Sequence, residues 1–508
     1  LYEGKIMLSE LSKTTVIKST PSLIDTFIPI IFLVMMLFGG VIYFGDNSSY
    51  GPNQISLLMS AGIAILIGFK NGYTWEEMEK AVIHGISLSL GAVLVLLAVG
   101  SLIGTWLLSG TVPTLIYYGL QILNPEWFYP AACIICGIIA MSIGSSWTAV
   151  ATIGVALMGI AQGLDLSLEI TAGAIISGAY FGDKISPLSE TTNLAPAIAG
   201  SQLFAHIRYM LWTTIPSISM ALIIFTFLGF NETSSSSTTA INTLVNQLEE
   251  HFTISIFNLI PLVVLIALAI KKCPAFIAIS LGAITGGICA VVFQPELIMI
   301  LAKDTTHYFT ANLVVVWSVF FDGVAIKTSN VELDKLLSGG GMSSMLNTVW
   351  LIICALTFGA IIEYLGMLKI ILDLILRSAK STGDLIMSTV ITCISTNVIT
   401  ADQYMAIVMP GRMYKEEYAK QGLDSLVLSR TLEDSGTITS PLIPWNTCGA
   451  YMYSVLMVNP LDYIFYCFFN LINPLLAAIY GYIGFQIKKT SINTYKAFSN
   501  KKESIQNV

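Results

Sequence analysis

The sequence predicts an all-α membrane protein of two inverted-topology repeats, each with five transmembrane spans and one re-entrant hairpin, accompanied by interfacial arm helices. Three observations carry this expectation. The 508 residues are 55% hydrophobic and 11% charged, with mean hydropathy +0.77, which overrides the soluble multidomain prior that length alone would give. Short polar stretches interrupt apolar segments at matching places in the two halves. The spacing of Lys and Arg can be threaded through a membrane only if the second half is inverted relative to the first.

Residues 1–26 form a polar N-terminal tail, expected in the cytoplasm. The apolar run that follows is too long for a signal peptide and has no small-residue cleavage site. The first repeat, 27–230, has apolar runs at 27–45, 53–69, 84–108 and 210–230, a hairpin at 127–163 and a broken span at 168–205. A Ser-rich linker at 231–252, free of Lys and Arg up to residue 250, is placed outside the cell. The second repeat, 253–485, repeats the scheme with runs at 253–270, 274–293, 346–366 and 461–485, a hairpin at 384–419 and a broken span at 424–458. Residues 486–508 form a second cytoplasmic tail.

Basic residues gather at Lys70 and Lys80, Arg208, Lys271 and Lys272, Lys369 to Lys380, Arg412 to Lys420 and both tails, while none lies between Lys80 and Lys184. Placing the basic stretches inside puts both termini in the cytoplasm and leaves Lys303, Lys327 and Lys335 in an outer loop. The threading requires 110–124 and 367–380, each following a glycine (Gly110, Gly366), to lie along the interface as arms. Segment 308–326 is read as interfacial; a crossing there would change the parity. Gln162-Gly-Leu-Asp165 and Gln421-Gly-Leu-Asp424 follow the two hairpins, and Ser186-Pro-Leu188 answers to Ser440-Pro-Leu442, so a duplication is expected.

The eight cysteines lie mostly in apolar segments, where packing is the expected role even for the Cys133/Cys136 pair. Four scattered histidines argue against a metallohydrolase, and the polar groups gather at two tips rather than along a pore, which argues against a passive channel. Nothing resembles a nucleotide-binding loop, so an ion gradient is the expected energy source. No cofactor and no nucleic-acid partner are expected.

The polar stretches are Ile143-Gly-Ser-Ser-Trp-Thr148 with Gly182-Asp-Lys-Ile-Ser-Pro-Leu-Ser-Glu-Thr-Thr-Asn193, and Ile394-Ser-Thr-Asn-Val-Ile-Thr-Ala-Asp402 with Glu433-Asp-Ser-Gly-Thr-Ile-Thr-Ser-Pro-Leu442 and Trp445-Asn-Thr447. A dehydrated Na+ needs about five or six oxygens, and irregular backbone deep in a membrane is tolerated only where it lines such a site. Candidate ligands in the first half are Ser145, Ser146, Thr148, Ser186, Thr191 and Asn193; in the second, Thr396, Asn397, Ser435, Thr437 and Asn446. Taken singly, an intramembrane Ser or Thr more often bonds its own helix. Asp183, Asp402 and Asp434 are the candidate ion-binding and proton-coupling carboxylates, since an acid at the bilayer centre must be neutralised by a cation or a proton. For Asp183 the alternative is an ion pair with Lys184; for Glu190 and Glu433 it is a place nearer the interface. The expected function is Na+/H+ exchange by competition at these carboxylates. The alternative is an exchanger of organic acids, with Lys184, Arg430, Asn193 and Asn397 available to a carboxylate.

The stretch Ser177 to Pro196, with Thr396 to Gln403 and Pro441 to Ala450, resembles the NhaC family of Na+/H+ antiporters within the ion transporter superfamily. The likeness covers roughly residues 20–485 and departs at Glu190, where the family pattern leads one to expect Asp, which weakens direct coordination there. It implies a homodimer in which the hairpins and broken spans move as an elevator against a scaffold formed near 27–108 and 253–366, with the interfacial helices as arms. It also implies a bacterial plasma-membrane location, Na+ and H+ as transported ions, lipid contact, and malate or lactate as conceivable further substrates.

Overall fold

The computed structural model describes residues 18–231, 238–302, 307–327, 334, 337–377 and 379–490. The tail segments 1–17 and 491–508, linker residues 232–237, and Lys303 and Lys335 of the expected outer loop lie outside the described residues. Among the described residues the chain is helical, with two isolated bridges as its only β pairing. Among the described residues nine helices are long and apolar enough to cross a membrane, or eleven if two bent pairs each count as one span.

In chain order the helices are α1 (Leu23–Phe44), α2 (Pro52–Lys70), α3 (Trp75–Leu88), α4 (Leu90–Leu108), α5 (Thr111–Ile122), α6 (Pro125–Ile143), α7 (Ser146–Gly163), α8 (Leu168–Ile185), α9 (Glu190–Ala199) and α10 (Leu203–Asn231). They continue as α11 (Thr238–His251), α12 (Ile260–Ile270), α13 (Ala275–Phe293), α14 (Tyr308–Asp322), α15 (Leu346–Tyr364), α16 (Met367–Arg377), α17 (Thr382–Thr400), α18 (Met405–Lys420), α19 (Ser425–Leu432), α20 (Thr447–Leu456) and α21 (Phe468–Ile483).

Local chemistry marks the boundaries. Asn124, Ser167, Ser189, Asp424 and Asn446 each cap a helix by accepting a backbone N–H, and the first of these is followed by Pro125, whose fixed φ suits a first turn. Both hairpin tips reverse through a left-handed residue, Gly144 (φ 76°) and Ala401 (φ 56°). Gly110 (φ 75°) and Gly366 (φ 73°) do the same at the starts of α5 and α16. Pro187 interrupts the first broken span, because the residue before a proline is held out of the helical region; Ser186 has ψ 126°. The second broken span keeps its path through a wide π turn, Glu433–Thr437, before Pro441 starts a short 3-10 turn.

Two lengths bear on the expected threading. The arms of the first hairpin, α6 and α7, have 19 and 18 residues, so each is long enough to cross and length alone does not make the hairpin re-entrant. Helix α14 has 15 residues, about 22 Å at the helical rise, short of a hydrocarbon core of about 30 Å.

Packing is reciprocal between the halves. Helix α2 lies on α15 while α13 lies on α4. The closest pair is α6 with α8, where a Cβ added at Gly178 would stand 2.0 Å from the Cys133 carbonyl oxygen and one at Gly182 2.1 Å from that of Gly137. In lipid, helices associate by close backbone approach rather than by apolar burial, so these glycines set the contact. Gly178→Val is expected to cost about 3 kcal/mol by overpacking, read as a lower melting temperature in detergent. Gly62→Ala, where nothing lies within 4 Å, is the neutral control. Equal melting of the two variants would refute the assignment. All eight cysteines are free.

Candidate ion-binding site

A cavity of about 1480 Å³ enters the molecule and ends on residues of both halves. Its floor is Ser145, Ser146 and Thr148 at the first hairpin tip, Asp183 on α8, and Asp402 at the second tip. Ser89, which faces Asp402, and Ala275 and Ala360, from segments the resemblance assigned to the scaffold, also line it, and Lys80, Lys272 and Arg412 among its lining residues are exposed.

Asp183 is 6% exposed. One carboxylate oxygen accepts from Ser146 Oγ at 2.8 Å, while Oδ1 has no partner among the described residues. Asp402, also 6% exposed, accepts from the Met405 N–H at 2.9 Å and so stands at the N-terminus of α18. Neither acid forms an ion pair among the described residues, and one comes from each half. Tyr404, just past the second tip, links it to the first broken span: its hydroxyl donates to Glu190 at 2.5 Å. Trp147 stacks on Tyr451 at 4.1 Å and fastens the first tip to α20.

Lys184 turns away from Asp183. Its ammonium is fully buried, paired with Asp434 and donating to Asn473 Oδ1 at 3.0 Å. Asp434 accepts further bonds from Thr213 and Asn473, each at 3.0 Å, and Arg430 Nε lies 3.9 Å from its other oxygen. The sequence alternative of an Asp183–Lys184 pair is therefore not what forms. Asp434, expected to be free of basic neighbours, is met by one from a helix 250 residues away in sequence.

Other candidates are held by the protein. Asn193 is exposed and donates to the Pro187 and Ser189 carbonyls, closing the break. Asn397 donates to Gly436 O at 2.6 Å and accepts from Asn446 Nδ2 at 3.1 Å, which ties the second tip to its broken span. Thr396 and Ser435 bond the preceding turns of their own helices, and Ser186 Oγ accepts from the Leu188 N–H. Thr191 lines the cavity beside Ser189. Thr437 is buried, its hydroxyl beside the Glu433 carboxylate. Glu433, for which an interfacial place was as strong an expectation as an ion site, is 0% exposed, with Thr437 and Thr191 beside its carboxylate and no well-aligned hydrogen bond to either oxygen among the described residues. Its sequence signal was its place on a turn where two successive acids face inward. Among the described residues no cluster of three or more His, Cys, Asp or Glu could hold a metal ion.

A multi-pass helical bundle whose cavity reaches unpaired carboxylates in its apolar interior has the build of a secondary transporter. The chain belongs to the Na+/H+ antiporter family: residues 178–485 match the family profile. It is 38% identical to the Na+/H+ antiporter NhaC of Alkalihalophilus pseudofirmus over 86% of this chain and 91% of that protein. It is 39% identical to the malate-2H+/Na+-lactate antiporter of Bacillus subtilis over 88% and 92%. It is 33% identical to the arginine/ornithine antiporter ArcD of Halobacterium salinarum over 92% and 93%.

Proposed function

We propose that this protein exchanges Na+ for H+ across the cell membrane, the two cations competing at buried carboxylates. The observation that carries the reading is the convergence of Asp183 and Asp402, one from each half, on one cavity without a basic partner. Around the site, four buried carboxylates (Asp183, Asp402, Glu433 and Asp434) face two buried cations (Lys184 and Arg430), which leaves two negative charges to neutralise. That surplus favours two protons returning for each Na+ carried. With the basic stretches inside, Lys80, Lys272 and Arg412 mark a cytoplasmic mouth and both termini are cytoplasmic. The reciprocal packing of α2 on α15 and α13 on α4 supports an inverted duplication. The cavity between the two groups of helices supports an elevator as the route of alternating access, and the family resemblance leads us to place it in a homodimer.

A second reading is exchange coupled to an organic acid. The cavity volume far exceeds a bare cation, its lining includes exposed basic side chains, and one relative is named for malate and lactate. Proteoliposomes reporting internal pH separate the two. A Na+ pulse alone is expected to raise internal pH as Na+ enters and protons leave. Alkalinisation that requires malate or lactate would replace the first reading with the second.

A further inference from the structure

We infer that Glu433 and Asp183 together ligate the transported cation in an enclosed site beside the cavity floor, with the hydroxyls of Thr437 and Thr191 completing it. The inference deepens the exchange reading and rests on it. Buried oxygens of the two broken spans without a well-aligned hydrogen bond among the described residues include Asp183 Oδ1, both oxygens of Glu433 and Thr437 Oγ1. Glu433 interacts electrostatically with Asp183 and Lys184, and Thr191 and Thr437 lie beside its carboxylate. Leaving such groups unpaired in an apolar interior is costly, so a cluster of them points to a ligand that supplies positive charge.

The donor set selects that ligand. It is all oxygen, with two acids and no sulfur or imidazole, which suits a small hard monovalent cation better than a transition metal. The ammonium that faces Glu433, that of Lys184, is given to Asp434 and Asn473. The π turn gives the geometry: its wide pitch sets Glu433 and Thr437 at the two ends of one turn, both turned inward. Asp183 sits in the last turn of α8, where the negative end of the helix dipole adds attraction for a cation. The ionisable groups facing Glu433 are Asp183 and Lys184 of the first broken span, so protons and Na+ would compete at the Asp183–Glu433 pair.

The test is equilibrium binding of radioactive Na+ to the purified full chain, together with the rise in melting temperature that Na+ produces by binding the folded state. Glu433→Gln, which keeps shape and removes charge, is expected to weaken Na+ binding at least tenfold and to remove the Na+-dependent rise. Thr437→Val is expected to weaken binding roughly threefold without changing any charge; if Glu433→Gln does not purify as a folded protein, this variant decides. Wild-type binding that both variants reproduce would overturn the site and leave the exchange reading standing. A wild-type protein that binds no Na+ would sink the exchange reading itself.

Discussion

Asp183→Asn is expected to lower Na+-dependent proton movement in proteoliposomes by roughly a hundredfold, about 2.8 kcal/mol of lost stabilisation, while the protein still purifies and melts as a folded chain. The amide is isosteric and can still accept from Ser146 Oγ. What it loses is the charge that a cation or a proton must neutralise. Asp402→Asn should also lower exchange, because that carboxylate shares the cavity, but it additionally touches the start of α18 through the Met405 N–H. Measured pH jumps after a Na+ pulse, compared at equal reconstituted protein, decide the matter. Wild-type rates from Asp183→Asn would remove the central carboxylate from the mechanism.

The second large effect is on stability. Lys184→Met strands the Asp434 carboxylate at a fully buried position, and Asp434→Asn strands the lysine. Removing one partner of a buried ion pair costs about 3–5 kcal/mol, whereas replacing both by apolar groups is often neutral. Each single variant should therefore melt well below wild type in detergent, and Lys184→Met combined with Asp434→Leu should recover much of the loss. Arg430, 3.9 Å from the outer oxygen of Asp434, softens the first effect but not the second. Single variants that melt like wild type, or a double variant worse than both, would show that the pair does not hold the two broken spans together.

Much of this architecture was legible in the sequence because its signals are local. Apolar length gives the spans, Gly144 allows the first tip its left-handed turn, Pro187 and Pro441 mark the breaks, and Gly110 and Gly366 open the helices that follow them. The hydroxyls were legible as a group but not one by one. Nothing local distinguishes Ser146, which reaches Asp183, from Thr396, which bonds its own helix. Long-range partners were hidden altogether. Lys184 beside Asp183 suggests a neighbouring pair, yet on a helix consecutive side chains diverge by about 100°, and the lysine faces Asp434 on the other half. Asn397 and Asn446 were candidate ligands as oxygen donors in the polar stretches, and the structure spends them on joining a tip to its broken span.

The Lys184–Asp434 tie also bears on ancestry. On the register set by Ser186-Pro187-Leu188 and Ser440-Pro441-Leu442, the counterpart of Lys184 is Ile438 and that of Asp434 is Tyr180. Two identical copies inserted in opposite directions could not have formed this single, lopsided contact without also making its mirror image. If the halves descend from one gene, the tie dates from after their fusion, when each was free to mutate without changing the other. Today's halves would then be non-interchangeable, and two copies of either one expressed alone would lack the bond that joins them.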